Sequence, residues 1–374
     1  MKFKPFIIPL FIPHIGCPHR CVFCNQTSIT GHKGGAPSPE EVRNAISRFL
    51  GIKHRRRHPV EVAFYGGTFL GLSRSYRDSL LDAVQGFVEE GEVDSIRFST
   101  RPDTISDDSL MELSPYAVRV IEVGAQSTNE SVLALSRRGH TAEDTRKAVN
   151  ILKSHKFRVG IQIMPGLPGD TPESILETGR EVAKLKPDFV RIYPTVVVKN
   201  TVLERWFREG RFKPLSLSSA IELTKTLYLL FKAHNISVIR MGLQASDGLL
   251  EPGNVVGGPF HPAFGHLVHS ALFFDRATQV FEDEKLLSNK VVLKVHPRDV
   301  SRMKGIKNHN IEQLMKRFDL KELRVIPDPE VSQDMLKVDI ANLPLRQDLS
   351  AKKRFNDRSK ESLFGQRRVR KMNI

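Results

Sequence analysis

Cysteine is scarce in this 374-residue chain. There are three in all, an odd number, and they fall within the eight residues 17–24. That count excludes a disulfide framework. Acidic side chains are also in deficit, 42 against 57 lysines and arginines, a formal net charge of +15. Such a surplus favours a polyanionic partner such as nucleic acid and bears on binding rather than on fold. Long hydrophobic runs are missing too. The most apolar N-terminal stretch, Phe6 to Pro13, is too short to span a bilayer and carries two prolines. Lys2 and Lys4 ahead of it imitate a signal-peptide n-region, but no small-residue cleavage site follows. The stretch reads as a buried first strand, and the protein as cytoplasmic, with no membrane partner. Internal repeats are absent. The rest is ordinary globular composition, 40% hydrophobic and 26% charged residues, which rules out wholesale disorder.

Short β-rich runs alternate with helical segments. Strands are expected at 6–13, 60–65, 95–99, 118–123, 158–164 and 189–193, and helices near 38–50, 73–90, 127–137, 141–156, 171–186 and 216–234. Ser38 and Thr141, each followed by an acidic first turn, read as N-caps. Strands separated by helices imply a parallel sheet of right-handed βαβ units. Periodicity alone leaves an open doubly wound sheet and a complete or partial barrel both standing. The unusual residues fall at the carboxyl ends of the strands, where active groups gather in such folds: Gly66-Gly67-Thr68, Thr100-Arg101, Gly124 to Ser127, Pro165 to Gly169, and Tyr193-Pro194-Thr195.

After about residue 235 the texture changes. A seventh strand at 236–240 leads into a Gly-rich loop, a hydrophobic hairpin-like stretch is expected near 268–281, and 290–340 reads strand, helix, turn, helix, strand. We therefore divide the chain into a core at 1–245, a small α/β extension at 246–345 and a polar, basic tail at 346–374.

The cysteines decide the chemistry. Cys17-Pro-His-Arg-Cys21-Val-Phe-Cys24 has the spacing C-x3-C-x2-C directly after the first strand. An iron–sulfur cluster normally takes four thiolates, so three leave one iron for another ligand. A structural zinc with His14 or His19 as the fourth ligand is the competing reading.

At these residues the chain resembles the radical S-adenosylmethionine (SAM) superfamily. The resemblance implies a partial (β/α)6 TIM-type barrel with the extension appended. It also implies a [4Fe-4S] cluster held by Cys17, Cys21 and Cys24, whose remaining iron chelates SAM. Electron transfer then cleaves SAM to methionine and a 5′-deoxyadenosyl radical, with a reducing electron donor of flavodoxin or ferredoxin type as partner. Phe23 matches the position that packs near the adenine. Gly66, Gly67 and Thr68 resemble the glycine-rich motif whose backbone receives the methionine amino group, glycine removing an obstructing Cβ. Gln126 and Arg138 resemble polar positions that hold SAM in coproporphyrinogen-oxidase-like members. Gln162 stands where those relatives have an aspartate for the ribose.

Within the superfamily the chain is similar to the radical-SAM half of the Elongator catalytic subunit, a tRNA wobble-uridine modifier. The likeness runs over roughly residues 10–245, through Ser99 to Asp103, Glu122 to Ser127, Arg138-Gly139-His140, Met164 to Pro168 and Ile192 to Thr195. Two departures stand out. Roughly 80 residues follow position 290, too few for the acetyltransferase domain of that subunit, and the first two cysteines are closer together here. Methylthiotransferases and members with auxiliary clusters need cysteines this chain lacks.

The resulting expectation is an enzyme acting on a tRNA or RNA base. The alternatives are radical chemistry on a small metabolite or tetrapyrrole, and a silent cluster-containing RNA-binding module. Substrate-facing candidates are Arg240, Gln244 and His261 around the Gly-rich loop, with Tyr193 facing the radical. His261, His266 and His269 form a weak candidate for a second metal. Lys53 to His58 could grip phosphates at the amino end of the second strand. Met303 to Asn308 joins two helices as the loop of a KH domain does, though the second glycine of that loop is Asn308 here.

Overall fold

Each strand of the main sheet divides its residues by alternation. On the second strand Val60, Val62 and Phe64 enter the apolar core, while Glu61 and Tyr65 take the other face. The third does the same with Ile96 and Phe98 against Arg97, and the fifth with Val159, Ile161 and Ile163 against Gly160 and Gln162. The apolar face packs under helices and the polar face lines a concave interior.

The computed structural model describes residues 5–12, 14–31, 35–52, 58–283 and 289–339. The basic tail at 346–374 and residues 53–57 of the Lys53–His58 run lie outside the described residues. The chain runs through β1 (Phe6–Ile12), α1 (Gln26–Thr30), α2 (Pro39–Gly51), β2 (Val60–Gly66), α3 (Arg74–Glu89), β3 (Ser95–Thr100) and α4 (Asp107–Met111). It continues through β4 (Val118–Gln126), α5 (Glu130–Leu135), α6 (Ala142–Ser154), β5 (Arg158–Ile163), α7 (Pro172–Lys184) and β6 (Phe189–Ile192). Then come β7 (Val197–Val198), α8 (Val202–Arg208), α9 (Leu217–Ala233), β8 (Ser237–Met241), α10 (Asp247–Leu250) and β9 (Val255–Gly257).

The main sheet has the order β1-β2-β3-β4-β5-β6-β8, every neighbouring pair parallel. It curls into an open half-barrel, a partial TIM-type core with one strand beyond six. β7 and β9 pair separately as a short antiparallel ribbon. Helix starts follow the sequence: Ser38 closes a capping box with Glu41, and Thr141 one with Asp144.

Contacts divide the chain into two compact units, Met1–Gly265 and His266–Ile374. The second holds all but the first two residues of α11 (Phe264–Asp283), then β10 (Lys290–Val295), α12 (Val300–Lys304), α13 (His309–Arg317), β11 (Glu322–Pro327) and β12 (Leu336–Asp339). β10 is central, parallel to β11 and antiparallel to β12. The hairpin expected near 268–281 is instead part of α11. Its buried residues Val268, Leu272, Phe273, Ala277 and Phe281 recur at helical rather than alternating spacing. No helix among the described residues is long and apolar enough to cross a membrane.

Behind the carboxyl end of β2 the core holds a stack of three rings. Phe64 lies 4.9 Å from Phe69, and Phe69 4.5 Å from Phe98, centroid to centroid. Phe98 is fully buried. Phe98→Ala is therefore expected to cost about 3–5 kcal/mol in urea unfolding. Ile239→Ala, at a residue 48% exposed on β8, should stay within about 0.5 kcal/mol.

Candidate active site

The loop carrying the three cysteines follows β1 and is fastened at both ends to the sheet. At its start Gly67 N donates to Ile12 O at 2.6 Å and Thr68 N to Ile15 O at 3.1 Å. A Cβ on Gly67 would stand 2.2 Å from Ile15 O, and one on Gly66, whose φ is +109°, 2.9 Å from Ile12 O. The crowding that demands glycine here is thus with the protein's own backbone. Gly66 O is already taken, accepting from Gln26 Nε2 at 2.5 Å. Gln26 also accepts from His14 N, so one side chain ties together the loop's start, its end and the glycine turn.

Thr68, buried, lies with its hydroxyl 3.1 Å from Cys17 Sγ. Arg138 donates from Nη1 to Cys21 Sγ at 3.1 Å and from Nη2 to Gly124 O at 2.5 Å. Val22 N donates to Ser136 O at 3.2 Å, which closes the cysteine loop on the segment after α5. Burial, and then the neighbouring Cys21 and Cys17 thiolates, push the Cys24 thiol up to about 12, against the pull of Arg138. The Cys24 thiol therefore resists ionising unless a cationic group sits beside it. Among the described residues no three His, Cys, Asp or Glu side chains gather tightly enough to share one metal ion. A cluster that takes each thiolate on a different iron asks for a wider triangle. His14, offered by the zinc reading as a ligand, is engaged elsewhere: its Nε2 accepts from Gln26 N at 2.9 Å, and burial, then Arg20, lowers its pKa.

Around the mouth, Gln162 Nε2 donates to Gln126 Oε1 at 3.0 Å, and Gln126 sits at φ +70° where the register of β4 against β5 shifts. Phe23 and Tyr193 pack in one apolar cluster with Val132, Met164 and Leu167. Arg101 is clamped by Asp103 at 2.9 Å and donates to Arg138 O. Arg138 Nε is buried and finds no partner among the described residues, the kind of orphan that a carboxylate-bearing cofactor satisfies.

The concave face below holds what the sequence reading missed. Arg97 donates to Glu61 Oε2 at 2.8 Å and to Glu122 Oε1 at 2.6 Å. Arg191 meets Glu122 Oε2 at 2.7 Å and donates to Tyr65 OH at 2.9 Å and Tyr193 OH at 3.0 Å. Glu61, Arg97 and Glu122 are all buried. Burial, then Glu122, raises Tyr65 to about 12, so its phenol keeps its proton. A Cβ on Gly160 would collide with the Phe189 ring at 2.3 Å, and Arg97 lies over that ring at 5.3 Å. The signal was present: a charged or amide side chain on the inward phase of strands whose outward phase is wholly apolar.

The other candidates have local partners or face solvent. Arg240 lies opposite Arg191 in the register of β6 and β8, with Nε 3.4 Å from Gly242 O. Gln244 is exposed. His261 Nδ1 accepts from Ala263 N at 3.0 Å, and His266 Nε2 lies 3.4 Å from Ser270 Oγ, in the other unit.

Comparison with known proteins agrees with this arrangement. Residues 11–182 match the Radical SAM superfamily and residues 187–273 match its Radical SAM C-terminal domain. The chain belongs to the radical SAM superfamily; it is an enzyme whose cofactors are a [4Fe-4S] cluster and SAM. It is 30% identical over 230 residues to a tRNA uridine(34) acetyltransferase of Dehalococcoides mccartyi, a match covering 53% of this chain and 50% of that protein. It is 28% identical over 261 residues to human Elongator complex protein 3, covering 58% and 48% respectively. The match thus spans about half the length of these relatives. The structure of an N-terminally truncated Methanocaldococcus infernus Elp3 superposes with a TM-score of 0.54 at 22% identity, covering 76% of this chain and 64% of that one.

The residues present fit these cofactors. Cys17, Cys21 and Cys24 would hold the cluster, and Arg138, with its orphaned Nε beside Cys21, would offer a donor to the carboxylate of SAM. When bound, the pair supplies a 5′-deoxyadenosyl radical; the protein's part is to bind, orient and exclude water. Gly67→Ala should break the loop's seat on the sheet, so reconstituted protein is expected to hold less iron and sulfide per chain; full loading would refute that account.

His140, buried beside Arg138 and Arg101, has Nε2 3.2 Å from Ala125 O and a pKa lowered to about 3, by burial first and then by those arginines. A base depressed in the folded state binds its proton more readily when unfolded, so acid favours unfolding. Stability should fall as pH drops from about 6.5 towards 3. In His140→Gln that component of the urea-midpoint slope should disappear.

Proposed function

We propose that the protein modifies a base of tRNA, using the radical it generates on a nucleobase placed at the mouth of the half-barrel. One observation carries the reading: Arg97 and Arg191, the two arginines of the Glu61–Glu122 network, are matched by carboxylates. Arg97 is held by Glu61 and Glu122, and Arg191 by Glu122 and two phenols. What this network carries besides its paired charges is phenol hydroxyl, from Tyr193 and Tyr65. Such groups suit an uncharged planar ring with donors and acceptors better than a polycarboxylate such as a tetrapyrrole, which would need unpaired cations. The relatives named for tRNA uridine chemistry, and the net charge of +15, support it. Acetyl transfer is no part of the proposal, since the match reaches only half of those proteins.

On this reading Cys17, Cys21 and Cys24 ligate the cluster. Phe23 packs near the adenine, the Gly66–Thr68 turn and Arg138 hold the methionine part of SAM, Gln126 is a further polar contact to SAM, and Gln162 meets the ribose. Tyr193 contacts the substrate, and Arg191 positions it. The setting is cytoplasmic.

The test is anaerobic reconstitution followed by incubation with SAM, dithionite and bulk tRNA, with mass spectrometry of 5′-deoxyadenosine and of digested nucleosides. An altered nucleoside is expected. In Tyr193→Phe its yield should fall about tenfold, the equivalent of one hydrogen bond of about 1.4 kcal/mol, while 5′-deoxyadenosine continues to form. Abundant 5′-deoxyadenosine with every tRNA nucleoside unchanged would overturn the proposal.

A further inference from the structure

One surface outside the barrel interior is built from the same two segments that hold Cys21. Pro18, His19 and Arg20 on one side, and Ala134, Arg137 and Gly139 on the other, line an open depression of about 490 Å³. All six are exposed, and none is acidic. The two walls touch: Gly139, at φ +68°, has no side chain, and the His19 ring lies where its Cβ would point, at 2.3 Å. The lining therefore combines the apolar Pro18 and Ala134 with two guanidinium-bearing residues, Arg20 and Arg137.

Its position sets it apart from an ordinary basic patch. Arg20 is the covalent neighbour of Cys21. Arg138, between Arg137 and Gly139, donates to Cys21 Sγ at 3.1 Å. Each wall is thus one residue from a sulfur that would ligate the cluster. Electron transfer through protein falls steeply with distance, so few places on a chain serve a reductant, and this one offers a covalent and a hydrogen-bonded route at once. A second depression, about 580 Å³ between α1 and α10, carries Asp247 and Glu251 and would repel an acidic partner.

We infer that this depression is the docking surface for an acidic one-electron carrier protein, of the flavodoxin or ferredoxin class, that reduces the cluster. The inference rests on the cluster reading above. One electron leaves the carrier and enters the cluster, and no bond is made or broken at the surface. The contact is small and charge-steered, as transient redox encounters are. An RNA backbone would also be drawn to Arg20 and Arg137. It would gain nothing from the apolar Pro18 and Ala134 or from the route to Cys21, and this favours the carrier.

The experiment follows bleaching of the reconstituted cluster by stopped flow, with reduced flavodoxin in one arm, reduced ferredoxin in a second and dithionite in a third. In Arg20→Glu/Arg137→Glu, reduction by at least one carrier should slow tenfold or more at low salt, and its salt dependence should flatten. Dithionite bleaching and iron content should match the parent. If iron content falls, Arg20→Gln/Arg137→Gln takes the variant's place, with a smaller slowing expected. Asp247→Asn/Glu251→Gln should leave all three arms unchanged. Carrier rates unaltered by either pair of arginine substitutions, or a parent enzyme that neither carrier reduces, would overturn the inference. So would tRNA retention on filters falling in the variant while carrier rates hold, which would make the surface an RNA contact. Failure of the cluster reading would show separately, as absent iron and sulfide in the parent.

Discussion

Three sulfurs on an eight-residue loop can present one cluster only if the loop's backbone is immobilised, because the loop has no secondary structure of its own between Cys17 and Cys24. The immobilising contact is the packing of Gly67 and Gly66 against Ile12 and Ile15, backbone on backbone with no room for a Cβ. Gln26 fastens the same knot through Gly66 O and His14, and Thr68 carries it to Cys17. Since β1 and β2 pair over their whole length, from Phe6 opposite Val60 to Ile12 opposite Gly66, the sheet register itself delivers the glycine turn to the start of the loop. The site depends on that register: a slip of one residue would turn every side chain of β2 to the opposite face.

Arg138 is the second point of control. It joins a cysteine sulfur to the backbone of β4, and its own carbonyl is held by Arg101 from the end of β3. The same guanidinium pulls against the burial that pushes the Cys24 thiol up. The loop is thus braced from three strands, and a distortion at any one of them reaches the sulfurs.

Much of this was legible in the sequence because its signals are local. The C-x3-C-x2-C spacing, Gly66-Gly67-Thr68 and the capping residues Ser38 and Thr141 each act within a few positions, and the strands lie close to where alternation and glycine–proline punctuation put them. Less legible were features that need two distant segments. The network of Glu61, Arg97, Glu122 and Arg191 exists only once four strands are adjacent, and Gln26 gains its role only when α1 reaches back to β2. The stretch 268–281 misled for a different reason. Phe273, Phe274 and Val280-Phe281 are β-formers by composition, and the helical spacing of the buried set became decisive only over the full length of α11.

The paired charges across β2, β3, β4 and β6, with the Phe189 ring filling the space above Gly160, also act as a plug. On the proposed reading they bound how far a substrate enters, so the reacting atom would belong to the outermost part of its molecule or to a unit that can be swung out from it. A polymer can offer one protruding unit to such a shallow basin and keep its bulk outside. Selectivity then resides as much in how the remainder of that molecule rests on the rim as in the basin itself.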